Sequence, residues 1–387
     1  MNKIKKVLCF VLSIAMVFVF TSCANDTENG NSEVDIEETT TSANDIKSTI
    51  PAEEISAESA NEKLHIGIVI PGTRADSSKN DINSMIMSTS VKDVIAESNY
   101  LEEKCFSFAE NVKPTDKNAL INAVDKLVEQ HSSIIVFADS GYGKFVEKIA
   151  SDNTTIMFIV NDYENKNEEI RNICSYSANI TGAEYLCGIV SAYKTKELKA
   201  NKIGYLLTEN LDLSILNAFA EGVKSVDKNL KISAVVSKNP KSDAQVLVSS
   251  GCKVLASNFF SRDIQEIANK NKIYFCGFGT ENYPSQEYML CSAIYDYRQL
   301  FINAVGYYRH NSDITDFIGG YAAKTTYISA INSKIIAQGT NEAIGRVNHN
   351  LLNSELDTRL SKTKPISNIS LSGSVKVTQP ETTTEAQ

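Results

Sequence analysis

The chain has 387 residues, of which 42% are hydrophobic and 22% are charged, and this length is enough for two domains of ordinary size. The composition is close to that of globular proteins and excludes a wholly disordered chain and a multi-span membrane protein. The formal net charge of −9 argues against a nucleic-acid binder. The charge is uneven: residues 1–23 carry +3, residues 24–62 carry −10, and the other 325 residues carry only −2.

The first 23 residues have the pattern of an export signal. Three lysines precede an apolar run from Val7 to Phe20, which is too short for a typical spanning helix but suits a signal peptide. The run ends in Phe20-Thr21-Ser22-Cys23, which resembles a bacterial lipobox with Phe20 in place of the usual leucine. We therefore expect Cys23 to be diacylated and to anchor the protein in the membrane, because two acyl chains suffice for stable anchoring.

Two segments lack the composition of a folded domain. Residues 24–62 are acidic and contain no aromatic residue, so they cannot bury enough surface to offset the entropy of ordering. We interpret them as a disordered tether, and residues 372–387 as a disordered tail. The folded part is predicted to begin at residue 63.

Strand-like and helix-like segments alternate after the tether. The first five predicted strands are Leu64–Ile70, Lys104–Ala109, Ser133–Ala138, Thr155–Val160 and a short strand near Ile173–Tyr176. Helical patterns separate most of them, at Ile82–Ile95, Asn118–Gln130 and Gly143–Ala150. This alternation predicts one doubly wound parallel sheet.

The alternation restarts at Thr181, where Thr181-Gly182-Ala183-Glu184 has the form of a capping box. The predicted strands of this second unit are Lys202–Leu207, Lys231–Val236, Val254–Ser257 and Lys272–Gly277. Its predicted helices are Thr181–Lys196, Leu213–Val226, one capped by Ser242-x-x-Gln245, and Arg262–Lys270. An extended crossing at Tyr288–Ile294 and a helix at Tyr295–His310 follow, and then a strand at Thr325–Ile331 and a helix at Asn341–Asn350.

The fold class expected is therefore α/β, with two doubly wound parallel-sheet lobes joined by hinge crossings, as in type I periplasmic binding proteins. Lobe I is expected to span 63–177 with a return segment at about 294–325, and lobe II to span 178–293. Whether part of 326–371 joins lobe II stays open. Ligands of open α/β sheets bind beyond the carboxyl ends of the strands, so two facing sheets predict a ligand in the cleft between them.

Three stretches of the second unit resemble the basic membrane protein family, which are substrate-binding lipoproteins of ABC importers, many of them for nucleosides. The stretches are Thr181–Ala192 with the following Thr195-Lys196 and Lys202-Ile203-Gly204, Asn217-Ala218-Phe219-x-Glu221-Gly222-Val223, and Gly251-Cys252-Lys253-Val254-Leu255. The similarity covers roughly 64–310 and is better in the second unit. It implies an extracytoplasmic protein that delivers a small molecule to an ABC permease.

Three ligand positions depart from the family's nucleoside pattern. Lys79 stands where an aromatic residue stacks on the base, Gly279 replaces an aspartate that grips the ribose, and Tyr295 replaces a lysine at the crossing. We therefore expect a small polar ligand with a ring, either a nucleoside or another small metabolite.

Polar and aromatic residues at the predicted strand ends are the candidate ligand contacts, because carboxylates and amides suit hydroxyl-rich ligands and aromatic faces suit planar rings. They are Thr73, Asp76, Asn80, Asp139, Ser140, Tyr142, Asn161, Asn210, Asn258, Phe259, Thr280 and Tyr295.

The sequence predicts no metal site, no cofactor and no enzymatic activity. The four histidines are scattered, and six cysteines remain after Cys9 and Cys23 are set aside, with no Cys-x-x-Cys among them. They are interpreted as free and buried. No Gly-x-Ser-x-Gly, P-loop or His-Glu-x-x-His motif occurs, and the glycines around Ser140 resemble a phosphate-binding turn only weakly.

The function predicted is that of a monomeric, lipid-anchored solute-binding protein on the extracytoplasmic face of the cell membrane, with a palmitate-type anchor. A surface lipoprotein that senses ligand or adheres without transport is the alternative, and an exported hydrolase is a further one.

Overall fold

The computed structural model describes residues 64–74, 81–167, 169–208, 213–280, 283, 285, 287–310, 315–321, 323–337, 345 and 369–372. They belong to one compact unit that spans Pro51–Gln387. The predicted signal peptide, the predicted lipidation site Cys23 and the predicted tether lie outside the described residues. So do Asp76, Asn80 and Asn210, most of the predicted helix at Asn341–Asn350, and the tail beyond Ser372.

The first sheet consists of six parallel strands. In chain order they are β1 Ile66–Val69, β2 Phe106–Ala109, β3 Ile134–Phe137, β4 Met157–Asn161, β5 Ile173–Ala178 and β11 Phe317–Gly319. Across the sheet their order is β11-β5-β4-β3-β1-β2. The helices that belong with it are α1 Ile82–Glu97, α2 Lys117–Glu129, α3 Gly143–Asp152 and α8 Arg298–His310.

The second sheet has seven strands and is parallel except for one edge pair. Its strands are β6 Lys202–Leu207, β7 Lys231–Val236, β8 Val254–Ser257, β9 Tyr274–Gly279, β10 Met289–Tyr295, β12 Thr326–Ile328 and β13 Ile369–Ser372. Their order is β12-β10-β9-β8-β6-β7-β13, with β12 antiparallel to β10. The accompanying helices are α4 Thr181–Glu197, α5 Leu213–Val226, α6 Pro240–Ser249 and α7 Arg262–Asn271.

Burial explains why these segments form central strands. Every residue of β1, β3 and β8 is buried, as expected for parallel strands that are covered by helices on both faces. Four apolar clusters fill the spaces between helices and sheets.

The predicted fold class is confirmed. In the described part of the chain, no helix is long and apolar enough to cross a membrane.

Two helix starts differ from the prediction. Helix α4 begins at Thr181, but Glu184 does not close a capping box; the Asn179 side chain instead accepts hydrogen bonds from the Thr181 amide at 2.9 Å and hydroxyl at 2.7 Å. Helix α6 begins at Pro240, and its cap is Asn239, which accepts from the Ser242 amide at 3.1 Å. In both cases an asparagine just before the helix takes the role predicted for a residue inside it.

Within the described residues the chain passes between the two sheets at three places, and these crossings are hydrogen-bonded to one another. Asn179, after β5, donates its amide to Gly319 O at 3.0 Å, and its own carbonyl accepts from the Thr326 hydroxyl at 2.8 Å. Asp296, after β10, donates its amide to Thr325 O at 2.8 Å. Most of the expected crossing at Tyr288–Ile294 is instead strand β10, Met289–Tyr295, so the chain leaves the second sheet only after Tyr295.

Candidate functional site

The carboxyl ends of β1 and β3 bring three of the predicted ligand residues to one edge of the first sheet. Thr73 follows β1, and Asp139 and Ser140 follow the neighbouring β3. The Asp139 carboxylate accepts hydrogen bonds from the Gly141 amide at 2.8 Å and from Nδ2 of Asn83 at 2.9 Å. Ser140 is exposed. This edge therefore presents carboxylate, hydroxyl and amide groups, and Asn83 of α1 is a member that the sequence did not single out.

Tyr142 lies in the core rather than at the surface of this edge. Its side chain is fully buried, its ring lies 5.7 Å from that of Phe137, and its hydroxyl donates to the carbonyl of Val112. Burial, with Asp139 as a smaller cause, raises the pKa of the Tyr142 hydroxyl, which therefore stays protonated as a donor. The structure thus gives Tyr142 a structural contact in place of a ligand-facing position.

The second sheet has a matching polar edge. Thr208, Asn258 and Thr280 directly follow the strands β6, β8 and β9, which are neighbours in the sheet. The Asn258 side chain is buried and accepts a hydrogen bond from the Thr208 amide at 3.1 Å. The Thr280 carbonyl accepts from the Ser292 hydroxyl at 2.6 Å. Phe259 is partly buried against the apolar cluster beneath this edge.

Four aromatic rings connect the two sheets, and we call them the aromatic bridge: Phe278, Tyr295, Tyr297 and Tyr176. The ring of Tyr295 lies 6.0 Å from Phe278 on β9 and 6.1 Å from Tyr297, to which it is nearly parallel at 19°. Tyr297 in turn meets Tyr176 of β5 edge-on at 4.9 Å. The Tyr176 hydroxyl donates to the carbonyl of Phe137 at 3.3 Å. Asn161, at the end of β4, lies beside the hydroxyls of Tyr176 and Tyr297, and its side chain lowers the pKa of both while burial raises it more.

Within the bridge, burial divides structural from accessible rings. Tyr176 is completely buried and Tyr297 almost so, and burial raises the pKa of both hydroxyls. Tyr295 is only partly buried. The structure therefore places two of the predicted residues, Asn161 and Tyr295, in one cluster. The sequence singled out neither Tyr176 nor Phe278, since each belongs to an ordinary apolar pattern.

The first turn of α1 reaches across to the second sheet. Met85 is buried in the same apolar cluster as Leu206 and Phe260, and Ile82 packs at its margin. A Cβ atom on Gly279, at the end of β9, would lie 2.7 Å from Cδ1 of Ile82. The two polar edges are therefore joined by an apolar contact, and α1 contributes both to it and, through Asn83, to the first edge.

A family model described as "Bmp: ABC transporter substrate-binding protein PnrA-like" matches residues 63–270, which is more than half of the chain. The chain belongs to this family. The predicted resemblance is thereby confirmed. The first polar edge and Thr208, Asn258 and Phe259 of the second lie inside the matched region, and Thr280 lies beyond it. Membership makes solute binding for an ABC transporter, outside the cytoplasm, the coarse function of the protein, because the family is one of substrate-binding proteins.

Solved structures show the same fold at low sequence identity. An ABC transporter solute-binding protein from Conexibacter woesei has a TM-score of 0.61 at 11% identity and covers 76% of this chain and 97% of its own. One from Aeropyrum pernix has a TM-score of 0.56 at 13% identity, with coverage of 76% and 92%. A transcriptional activator of the comK gene from Bacillus halodurans has a TM-score of 0.61 at 12% identity, with coverage of 75% and 98%. No curated protein matches the chain.

Proposed function

We propose that the two sheets are the frameworks of two lobes, and that the protein captures a small polar solute with a ring, of nucleoside type, in the cleft between them. The observation that carries this proposal is the aromatic bridge. It runs from the end of β9 through Tyr295 to the end of β5, so a ring stacked on Tyr295 would contact both lobes at once. Stacking on one aromatic side chain is worth about 1–3 kcal/mol for a nucleobase.

The polar edges supply the complementary chemistry. Asp139 and Asn161 lie at the ends of first-sheet strands, and Asn258 and Thr280 at the ends of second-sheet strands. Carboxylate and amide groups accept and donate hydrogen bonds to hydroxyls and to the edges of heterocycles, which suits a sugar joined to a base. Thr73, Ser140 and Phe259 complete the proposed contacts among the described residues. Asp76, Asn80 and Asn210, whose positions are not described, are proposed contacts from their place in the sequence.

The remaining parts of the proposal concern location and delivery. A diacylated Cys23 would hold the protein at the outer face of the cell membrane, and residues 24–62 would let the monomer reach a permease. The cleft would close on its ligand and present it to that permease. The support is the lysine-apolar-Cys23 order of the sequence together with family membership.

The ligand experiment begins with mass spectrometry of small molecules released from the denatured purified protein, followed by calorimetric titration with a panel of nucleosides. We expect Tyr295→Ala to weaken binding about 5–150-fold, which corresponds to about 1–3 kcal/mol. The matched control is Tyr288→Ala, because Tyr288 directly precedes β10 and so lies at the amino end of the strand that carries Tyr295 at its carboxyl end. Silence across all purine and pyrimidine nucleosides would remove the nucleoside assignment.

The anchor experiment compares two cysteines of the leader. Cys23→Ala should abolish incorporation of labelled fatty acid and leave an unprocessed precursor, whereas Cys9→Ala should be processed normally. Cleavage of the Cys23→Ala chain at the same bond would show that the leader is an ordinary signal peptide.

A further inference from the structure

Three thiols that are far apart in the sequence converge inside the second sheet. Cys187 of α4 faces Cys276 of β9 and Cys291 of β10, and the last two are register partners on neighbouring strands. Sγ of Cys291 lies 3.8 Å from Sγ of both other cysteines, and all three sulfurs lie within 4.8 Å of one another. Their exposed fractions are 0%, 3% and 1%. We call these residues the thiol cluster.

The spacing of the cluster is that of ligands around one ion. The three sulfurs form a triangle with two sides of 3.8 Å and a third of at most 4.8 Å. The point equidistant from the three sulfurs lies about 2.1–2.5 Å from each, and a zinc–thiolate bond is about 2.3 Å long. A disulfide would instead require two sulfurs to approach to about 2.05 Å and would leave the third thiol unpaired. One metal ion uses all three sulfurs with little movement.

An oxygen donor stands beside the sulfurs. Ser191 lies one helical turn after Cys187 on α4, and its hydroxyl is 3.2 Å from Sγ of Cys276. Structural zinc is almost always four-coordinate, so the Ser191 hydroxyl is the candidate for the fourth ligand beside three thiolates. The charge balance also favours a divalent ion, since Zn²⁺ with three thiolates leaves one negative charge in the core, whereas Cu⁺ would leave two.

We propose that Cys187, Cys276, Cys291 and Ser191 form a structural zinc site in the core of the second sheet. Each thiol loses its proton as it binds, and the sulfurs are almost inaccessible in the folded protein, so the ion enters while the sheet forms. The site ties α4 to β9 and β10. These two strands carry Thr280 and Tyr295 at their carboxyl ends, so the zinc ion fixes the relative positions of two residues of the candidate ligand site.

The test measures metal content in the full-length chain, purified from zinc-containing medium or refolded with Zn²⁺. We expect one zinc ion per chain by mass spectrometry of the elements, a higher melting temperature than that of the metal-free chain, and thiolate-to-metal charge-transfer absorption when Co²⁺ replaces Zn²⁺. Cys276→Ser and Cys291→Ser should each lose the ion. The matched control is Cys252→Ser: Cys252 is equally buried in the second unit but lies outside the thiol cluster, so this variant should keep the ion.

Several results would overturn the proposal. The first is an absence of stoichiometric metal in wild-type protein that has been refolded with Zn²⁺. This measurement needs no variant, so the proposal can be tested even if Cys276→Ser does not fold. An intact mass that shows a disulfide among the three cysteines, or stoichiometric Cu⁺ with no Zn²⁺ binding, would also overturn it. Ser191→Ala should lower zinc affinity roughly 10–100-fold, and unchanged affinity would remove Ser191 from the site. None of these measurements depends on the solute.

Discussion

The carbonyl oxygen of Phe219 lies 2.1 Å from the position that a Cβ atom on Gly188 would occupy, so α4 and α5 touch backbone to backbone. The contact is reciprocal, because a Cβ atom on Gly222 of α5 would lie 2.0 Å from the carbonyl oxygen of Tyr185 on α4. Gly188 and Gly222 therefore allow α4 and α5 to pack at a distance that no side chain at either position would permit.

Adding a methyl group at this crossing should be costly. Gly188→Ala and Gly222→Ala must each separate the two helices, because the obstacle is backbone that cannot rotate away as a side chain can. We expect each to lower the free energy of unfolding by about 3 kcal/mol or more, at the upper end of overpacking effects. Gly306→Ala, on α8, is the control: nothing lies within 4 Å of the new methyl group, so it should raise stability by about 0.5–1 kcal/mol. Denaturant titration of the three variants decides the matter.

Tyr142→Phe separates a structural from a ligand-binding role. Its hydroxyl donates to the Val112 carbonyl in the core, and removing it leaves that buried oxygen without its donor, which costs about 1–3 kcal/mol. We expect this loss in a denaturant titration and no change in solute affinity. Tyr100→Phe, on a half-buried ring, serves as the control for loss of a hydroxyl. An affinity loss in Tyr142→Phe at unchanged stability would return Tyr142 to the ligand site.

Glu184 should make the protein less stable as the pH rises. Burial raises the pKa of its carboxyl well above the ordinary 4.5, and the Tyr205 hydroxyl donates to it at 3.2 Å. Between the unfolded and folded pKa values the folded chain binds more protons, so the free energy of unfolding falls from about pH 4.5 upward. Glu184→Gln keeps the acceptor oxygen and removes the titration. We expect its unfolding free energy to decline less between about pH 5 and about pH 8.

The control for this experiment is Glu129→Gln, because Glu129 is exposed at the end of α2. That variant should reproduce the wild-type slope of stability against pH. Identical slopes in wild type and Glu184→Gln would show that Glu184 is not the group responsible.

The sequence predicted the order of strands and helices well, because periodicity is a local signal. The fully apolar Ile134–Phe137 and the amphipathic α2 were recognisable from their own residues. It was less informative about caps: a Ser or Thr followed by Glu or Gln matches a capping box by composition, whereas the actual caps, Asn179 and Asn239, are decided by the geometry of the preceding turn.

Long-range juxtaposition limited the prediction of the site. Asp139 and Asn258 could be placed at strand ends from the sequence, since parallel strands put their carboxyl ends on one edge. The aromatic bridge could not, because Tyr176 and Tyr297 are 121 positions apart in the sequence and meet only where the crossings come together. Tyr142 illustrates the converse error: a tyrosine after a strand resembles a loop residue until its hydroxyl is seen to point at Val112.

Gly279 and Ile82 give a double-mutant test of the contact between α1 and the second sheet. Gly279 has a φ of +79°, and its absent Cβ would meet Cδ1 and Cγ1 of Ile82 at 2.7 and 2.8 Å. Gly279→Ala therefore adds backbone strain of about 1–3 kcal/mol and a steric conflict of similar size. Ile82→Ala removes both conflicting atoms but not the strain, so the double variant should be more stable than the sum of the single effects predicts, by about 1–3 kcal/mol. Denaturant titrations of the four proteins measure this coupling, and scattering should show a larger particle for Gly279→Ala alone if α1 moves away. Strict additivity would mean that the two residues do not touch in solution.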